Sequence, residues 1–124
     1  MPMLRPLLLT LLLSASTATI AIGQDFVPVT GKDAFLALVN DRELRLGVLG
    51  IAISINPDGT ISGSASGWDL TGVWTWENGF FCREMDWGGT KIDYNCQLVE
   101  AQGTDAIRFT VDQGAGQAAE FNLR

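Results

Sequence analysis

Apolar residues fall along this chain in two rhythms. Over residues 30–40 they recur at helical spacing, with Phe35, Leu36, Leu38 and Val39 on the repeat, Thr30 placed to cap it, Asp33 in its first turn and Asn40 near its end. One amphipathic helix of about three turns is predicted there. Beyond it the period drops to two. Ile51, Ile53 and Ile55 alternate within 48–55, and that run stops at Asn56-Pro57-Asp58-Gly59, where proline presets one φ and glycine accepts a positive one. Further strands are predicted over 60–66, 72–77, 80–87, 91–100, 106–112 and 117–123, with a short one near 43–46. Asn78-Gly79, Gly88-Gly89, Gln102-Gly103 and Gly114-Ala115-Gly116 divide them. The expected class is mainly β: a small antiparallel meander or barrel of about 7–8 strands with one N-terminal helix. Long open edges invite aggregation, so the meander either closes into a barrel or curls with the helix over its open edge.

The Asn78-Gly79 turn also sets a register. With those two residues as the loop, Trp76 lies opposite Phe81 and Trp74 opposite Arg83, and Met85 and Trp87 continue the same face. The candidate ligand-binding face is therefore Trp74, Trp76, Phe81, Arg83 and Trp87. It reads in two ways. As core, it is an aromatic wall with Arg83 stacked on Trp74 and its stem buried. As a cavity, its rings take an apolar or sugar-like molecule and Arg83 takes an anionic group. A domain this small has few other residues with which to fill its interior, which favours core.

The first 23 residues change the picture of where the protein works. Arg5 supplies an early cation, Leu7 to Leu13 an apolar stretch, and Ala21 and Gly23 the small side chains of a cleavage site. Residues 1–23 are read as a signal peptide cut after Gly23, and residues 24–124 as a single β-rich domain in the periplasm or secreted beyond it. Retention as an anchor is the other reading, opposed by Ser14, Ser16, Thr17 and Thr19 in the second half of the stretch. No cysteine near the cut is available to carry a lipid.

The whole chain carries 8 basic and 14 acidic residues, a net charge of -6. Loss of Arg5 with the leader leaves seven basic against fourteen acidic, or −7. Such a surface repels phosphate backbones and anionic headgroups, so neither nucleic acid nor a membrane is an expected partner.

Cys82 and Cys96 are the two cysteines. In an oxidising compartment they are most simply one disulfide, contributing on the order of 3 kcal/mol by loop entropy. A redox or metal-binding pair is the alternative, and it lacks both Cys-x-x-Cys spacing and any histidine. The register poses a difficulty. A three-residue loop at Gly88-Gly89-Thr90 puts the cysteines opposite each other but turns Ile92 and Tyr94 away from Met85 and Trp87; a β-bulge between Tyr94 and Cys96 satisfies both demands.

Catalytic chemistry is thinly provided for. Without histidine there is no Ser-His or Cys-His pair and no imidazole base. Ser62, Ser64 and Ser66 share a strand face but make no nucleophile elbow, and read as a small-residue strand against bulkier neighbours. Glu84 and Asp86 share a face and are the one carboxylate pair suited to glycoside chemistry, against the commoner reading as solvated charges. Asp58 and Asp69 read as turn residues. Gly114-Ala115-Gly116-Gln117-Ala118-Ala119 imitates a dinucleotide fingerprint, but it has no helix after it and reads as a hairpin turn. No cofactor and no metal are expected.

The segment from Gly72 through Trp74, Trp76, Phe80-Phe81-Cys82-Arg83 and Asp86-Trp87-Gly88 to Tyr94-Asn95-Cys96-Gln97 resembles a group of short exported proteins of Gram-negative bacteria with no assigned function. The Phe-Cys-Arg and Asn-Cys-Gln pieces are its specific part. Some members of that group carry the label dihydrodipicolinate reductase, which implies a nicotinamide enzyme with a Rossmann domain; this chain is too short, mostly β and without the fingerprint, so the label is not carried over. Leu70-Thr71-Gly72-Val73-Trp74 is similar to a strand motif of avidin-like barrels, and no binding residue is transferred from it. The function expected is that of an exported non-catalytic β domain binding a small ligand or an envelope protein through its aromatic face. The alternative is a small carboxylate-dependent hydrolase or lyase.

Overall fold

The computed structural model describes residues 2–3, 10–17 and 25–124. Most of the proposed leader, including its cleavage site, lies outside the described residues. A two-residue strand β1 (Val27–Pro28) leads into helix α1 (Lys32–Val39), and eight strands follow: β2 (Leu44–Leu46), β3 (Ile51–Ile55), β4 (Thr60–Ala65), β5 (Trp68–Glu77), β6 (Phe80–Trp87), β7 (Thr90–Gln102), β8 (Ala106–Thr110) and β9 (Ala118–Leu123). Each strand from β2 to β9 pairs antiparallel with its neighbours in sequence, and pairing of β9 with β2 completes the ring. The result is a closed eight-stranded barrel, with β1 added to β7 outside it. Closure removes the edges that a linear meander would expose.

The meander and its helix are as the hydrophobic pattern predicts, with local differences. Gly31, not Thr30, stands at the helix N-cap, and no side chain caps it. Residues 47–49 form a 3-10 turn closed by Gly50 in the left-handed region (φ 60°), so β3 starts at Ile51 rather than Val48. In that turn Val48 and Leu49 are exposed, and their apolar character imitates strand.

The β5–β6 hairpin has the register that Asn78-Gly79 dictates: Trp76 faces Phe81 and Trp74 faces Arg83. In the next hairpin Gly88-Gly89 is a two-residue loop, with Trp87 facing Thr90. Arg83 faces Asn95 but Met85 faces Ile92, so Asp93 and Tyr94 together oppose Glu84. That β-bulge, slightly earlier than the sequence suggests, lets Cys82 face Cys96 while keeping Ile92 on the inner side with Met85. The two cysteines form a disulfide.

Helix α1 fills one end of the barrel, beside the 56–59 and 78–79 turns. Phe35 and Val39 have no exposed surface. The Phe35 ring lies 5.5 Å from Trp74, 5.1 Å from Trp76 and 5.2 Å from Phe81, centroid to centroid. One phenylalanine thus anchors the helix against three rings of the β5–β6 hairpin, in the offset and edge geometries that ring quadrupoles favour.

Candidate ligand-binding cavity

Aromatic packing fills only the helix half of the barrel. The other half holds a cavity of about 360 Å³. Its walls are mostly apolar, with Ile53 and Ile55 from β3, Ile61 from β4, Met85 from β6, Ile92 from β7 and Phe121 from β9. Phe81 and Phe109, with ring centroids 5.2 Å apart and planes tilted at 56°, bound it towards the helix. The polar side chains on its surface are Arg83, Gln97 and Gln117.

The five residues of the candidate face divide between these halves. Trp74 is buried beneath Phe35, its indole N–H donating to the Asn56 carbonyl at 2.9 Å. Trp76 stacks on Phe35. Neither lines the cavity. Phe81 and Arg83 do. Trp87 is partly exposed and does not line the cavity; its indole N–H donates to the Ala65 carbonyl at 2.8 Å. Of the five, Phe81 and Arg83 stand on the cavity wall, Trp74 and Trp76 pack with the helix, and Trp87 belongs to neither group. The cation over Trp74 is Lys32 of the helix, 5.7 Å from the ring, and not Arg83.

Arg83 is held in an unusual way. It is 7% exposed, and its Nη1 donates to the Asp93 carbonyl at 2.7 Å. Asp93 belongs to the bulge, so the extra residue in β7 is what brings a main-chain acceptor to the guanidinium. Nε is buried with no hydrogen-bond partner. Among the described residues no carboxylate lies within ion-pair distance of Arg83, whereas Arg108 on the outer surface meets Glu100 at 3.1 Å and Glu120 at 3.3 Å. Burial pulls the Arg83 guanidinium below its ordinary value, as expected for a cation removed from water without a counter-charge. Gln97, buried opposite Phe81, adds an amide to the same cavity. Gln97 and the Asp93 carbonyl are absent from the candidate face. The Cys82–Cys96 pairing carries the signal for Gln97, since it places that residue across from Phe81.

The other candidates have structural occupations. Glu84 pairs with Lys91 at 3.1 Å on the outer face, and this contact raises the lysine's pKa. The Asp86 carboxylate accepts the Gly89 N–H at 2.8 Å and so closes the Gly88-Gly89 turn. Asp58 accepts both the hydroxyl and the N–H of Thr60, which holds its carboxyl below the usual range. Ser62 accepts from Asn56 and Ser66 donates to the Leu49 carbonyl. Glu77, Cys82 and Cys96 lie close enough together to suggest a metal cluster, but both thiols are spent in the disulfide, over which the Tyr94 hydroxyl bridges from Glu77. No helix among the described residues is long and apolar enough to cross a membrane. No protein-family model, curated protein or solved structure matches this chain.

Proposed function

We propose that this protein is an exported, non-catalytic β barrel that binds a small molecule inside the barrel, in the half that the helix leaves unfilled. One observation carries the reading: a buried arginine without a counter-charge lines an apolar cavity of about 360 Å³. That volume falls within the range of small-molecule sites, and a few placed polar groups in an apolar lining are what such sites have in common. An uncompensated buried cation is costly to folding, and a bound anion offsets the cost. The carboxylates that a hydrolase would need are engaged on the outside of the barrel, away from this cavity. The disulfide accords with folding in an oxidising compartment, and we place the protein in the periplasm or beyond it.

Native mass spectrometry of the protein recovered from the periplasm of a Gram-negative host tests this. An added mass that survives desalting, beside the two-hydrogen deficit of the disulfide, is expected. A bare mass in every preparation, including after incubation with an extract of the host's envelope lipids, would contradict it.

A further inference from the structure

Resting on that reading of the cavity, we infer that its ligand is an amphipathic monoanion, a carboxylate on an unbranched apolar chain of about ten carbons, with the carboxylate on Arg83 and the chain among the isoleucines.

The guanidinium decides the head group. Asp93 occupies Nη1. Nε has no acceptor, and no protein acceptor meets Nη2 among the described residues. The Nε–Nη2 edge presents two parallel N–H donors, the spacing that a carboxylate accepts in bidentate fashion. Phosphate, with a higher charge and more acceptor oxygens, calls for further cations or a helix N-terminus, and neither lines this cavity. Gln97 supplies one further amide donor beside the head group.

The walls decide the tail. A sugar or peptide brings many polar groups, each needing a partner once buried, and the cavity offers three polar side chains in all. An alkyl chain needs none. At about 30 Å³ for each water-sized group, the volume takes roughly a dozen non-hydrogen atoms, which is the size of decanoate. Met85 adds an adaptable wall for chains of slightly different length.

The test compares decanoate with 1-decanol, which has the same tail and no charge, by isothermal titration calorimetry on the unmutated disulfide-bonded protein and on Arg83→Met. Decanoate is expected to bind at least about tenfold more tightly than decanol, and the preference to vanish in Arg83→Met while decanol binding is kept. Arg83→Lys, which keeps the charge but not the paired donors, is expected to retain only part of the preference. Equal binding of the two probes to the unmutated protein would overturn the anionic class and leave the cavity reading intact. Binding of neither would overturn both. Because the first comparison uses no variant, loss of folding in Arg83→Met does not leave the inference unanswered.

Discussion

Arg83 is the residue at which stability and binding pull apart. Its guanidinium is buried among hydrocarbon with one main-chain acceptor and no anion. Replacing it by a hydrophobe of similar length relieves a desolvation cost of roughly a few kcal/mol, from which the orphaned Asp93 carbonyl takes back about 1 kcal/mol. Arg83→Met should therefore raise the melting temperature of the ligand-free protein by several degrees, measured by circular dichroism, while abolishing selectivity for anions. A lowered melting temperature would show that the arginine is a structural strut. Tyr94, the single tyrosine of the chain, gives a second local test. Its hydrogen bond to Glu77 favours the protonated phenol and raises its pKa above the ordinary 10.0. The stabilisation is thus fully present below pH 10 and is lost as pH rises through the folded-state value. Spectrophotometric titration near 295 nm should place the midpoint above 10.0, and Glu77→Gln should bring it back. The position of Arg83 was readable from Asn78-Gly79, because a two-residue turn fixes register. The carbonyl that holds it was not, because the bulge depends on how β7 reconciles a disulfide with an apolar face.

Among the elements, helix α1 acts as a plug, and its hold is concentrated in Phe35. Phe35→Ala removes a ring packed against Trp74, Trp76 and Phe81 and should cost about 3–5 kcal/mol, read as a shift in the urea midpoint. Strand β4 depends on a glycine in a different sense. Gly63 has φ 149°, and a Cβ there would collide with the Ala52 carbonyl oxygen and lie 2.9 Å from the Ile53 Cα. The collision is with backbone, which cannot swing aside. Gly63→Ala should cost about 2–4 kcal/mol, combining strained φ with overpacking. Gly67→Ala, at φ 83° but with open space around the Cβ, should cost only about 1 kcal/mol. Equal effects in the two variants would contradict the close approach of β3 and β4. Strand positions were legible because their period of two is interrupted by glycine and asparagine turns. Val27–Pro28 was not, being two exposed residues too short to show a period. Nor was the boundary at Ile51, since Val48 and Leu49 extend the apolar run into a 3-10 turn.

For the molecule as a whole, sequence pattern left open whether the meander closes and whether its aromatic face is core or cavity. Closure follows from the β2–β9 pairing, which joins elements far apart in the chain and leaves no local signature. The second question has a divided answer: the helix fills one half of the barrel, and among the described residues no side chain fills the other. Charge bears on how a ligand reaches that half. Residues 25–124 carry seven basic and fourteen acidic groups, a net −7, so an anion is repelled at long range although Arg83 attracts it inside. Raising ionic strength from about 10 to 150 mM, which shortens the screening length from roughly 30 to 8 Å, should speed decanoate association in stopped-flow tryptophan fluorescence and leave decanol association unchanged. Anion binding at Arg83 is read most directly in a ¹⁵N–¹H spectrum of the arginine side chains during titration with decanoate. With the carboxylate on Arg83, its Nε–H resonance moves and becomes protected from solvent exchange while that of Arg108 stays in place. An Arg83 resonance unmoved by saturating decanoate would contradict that placement.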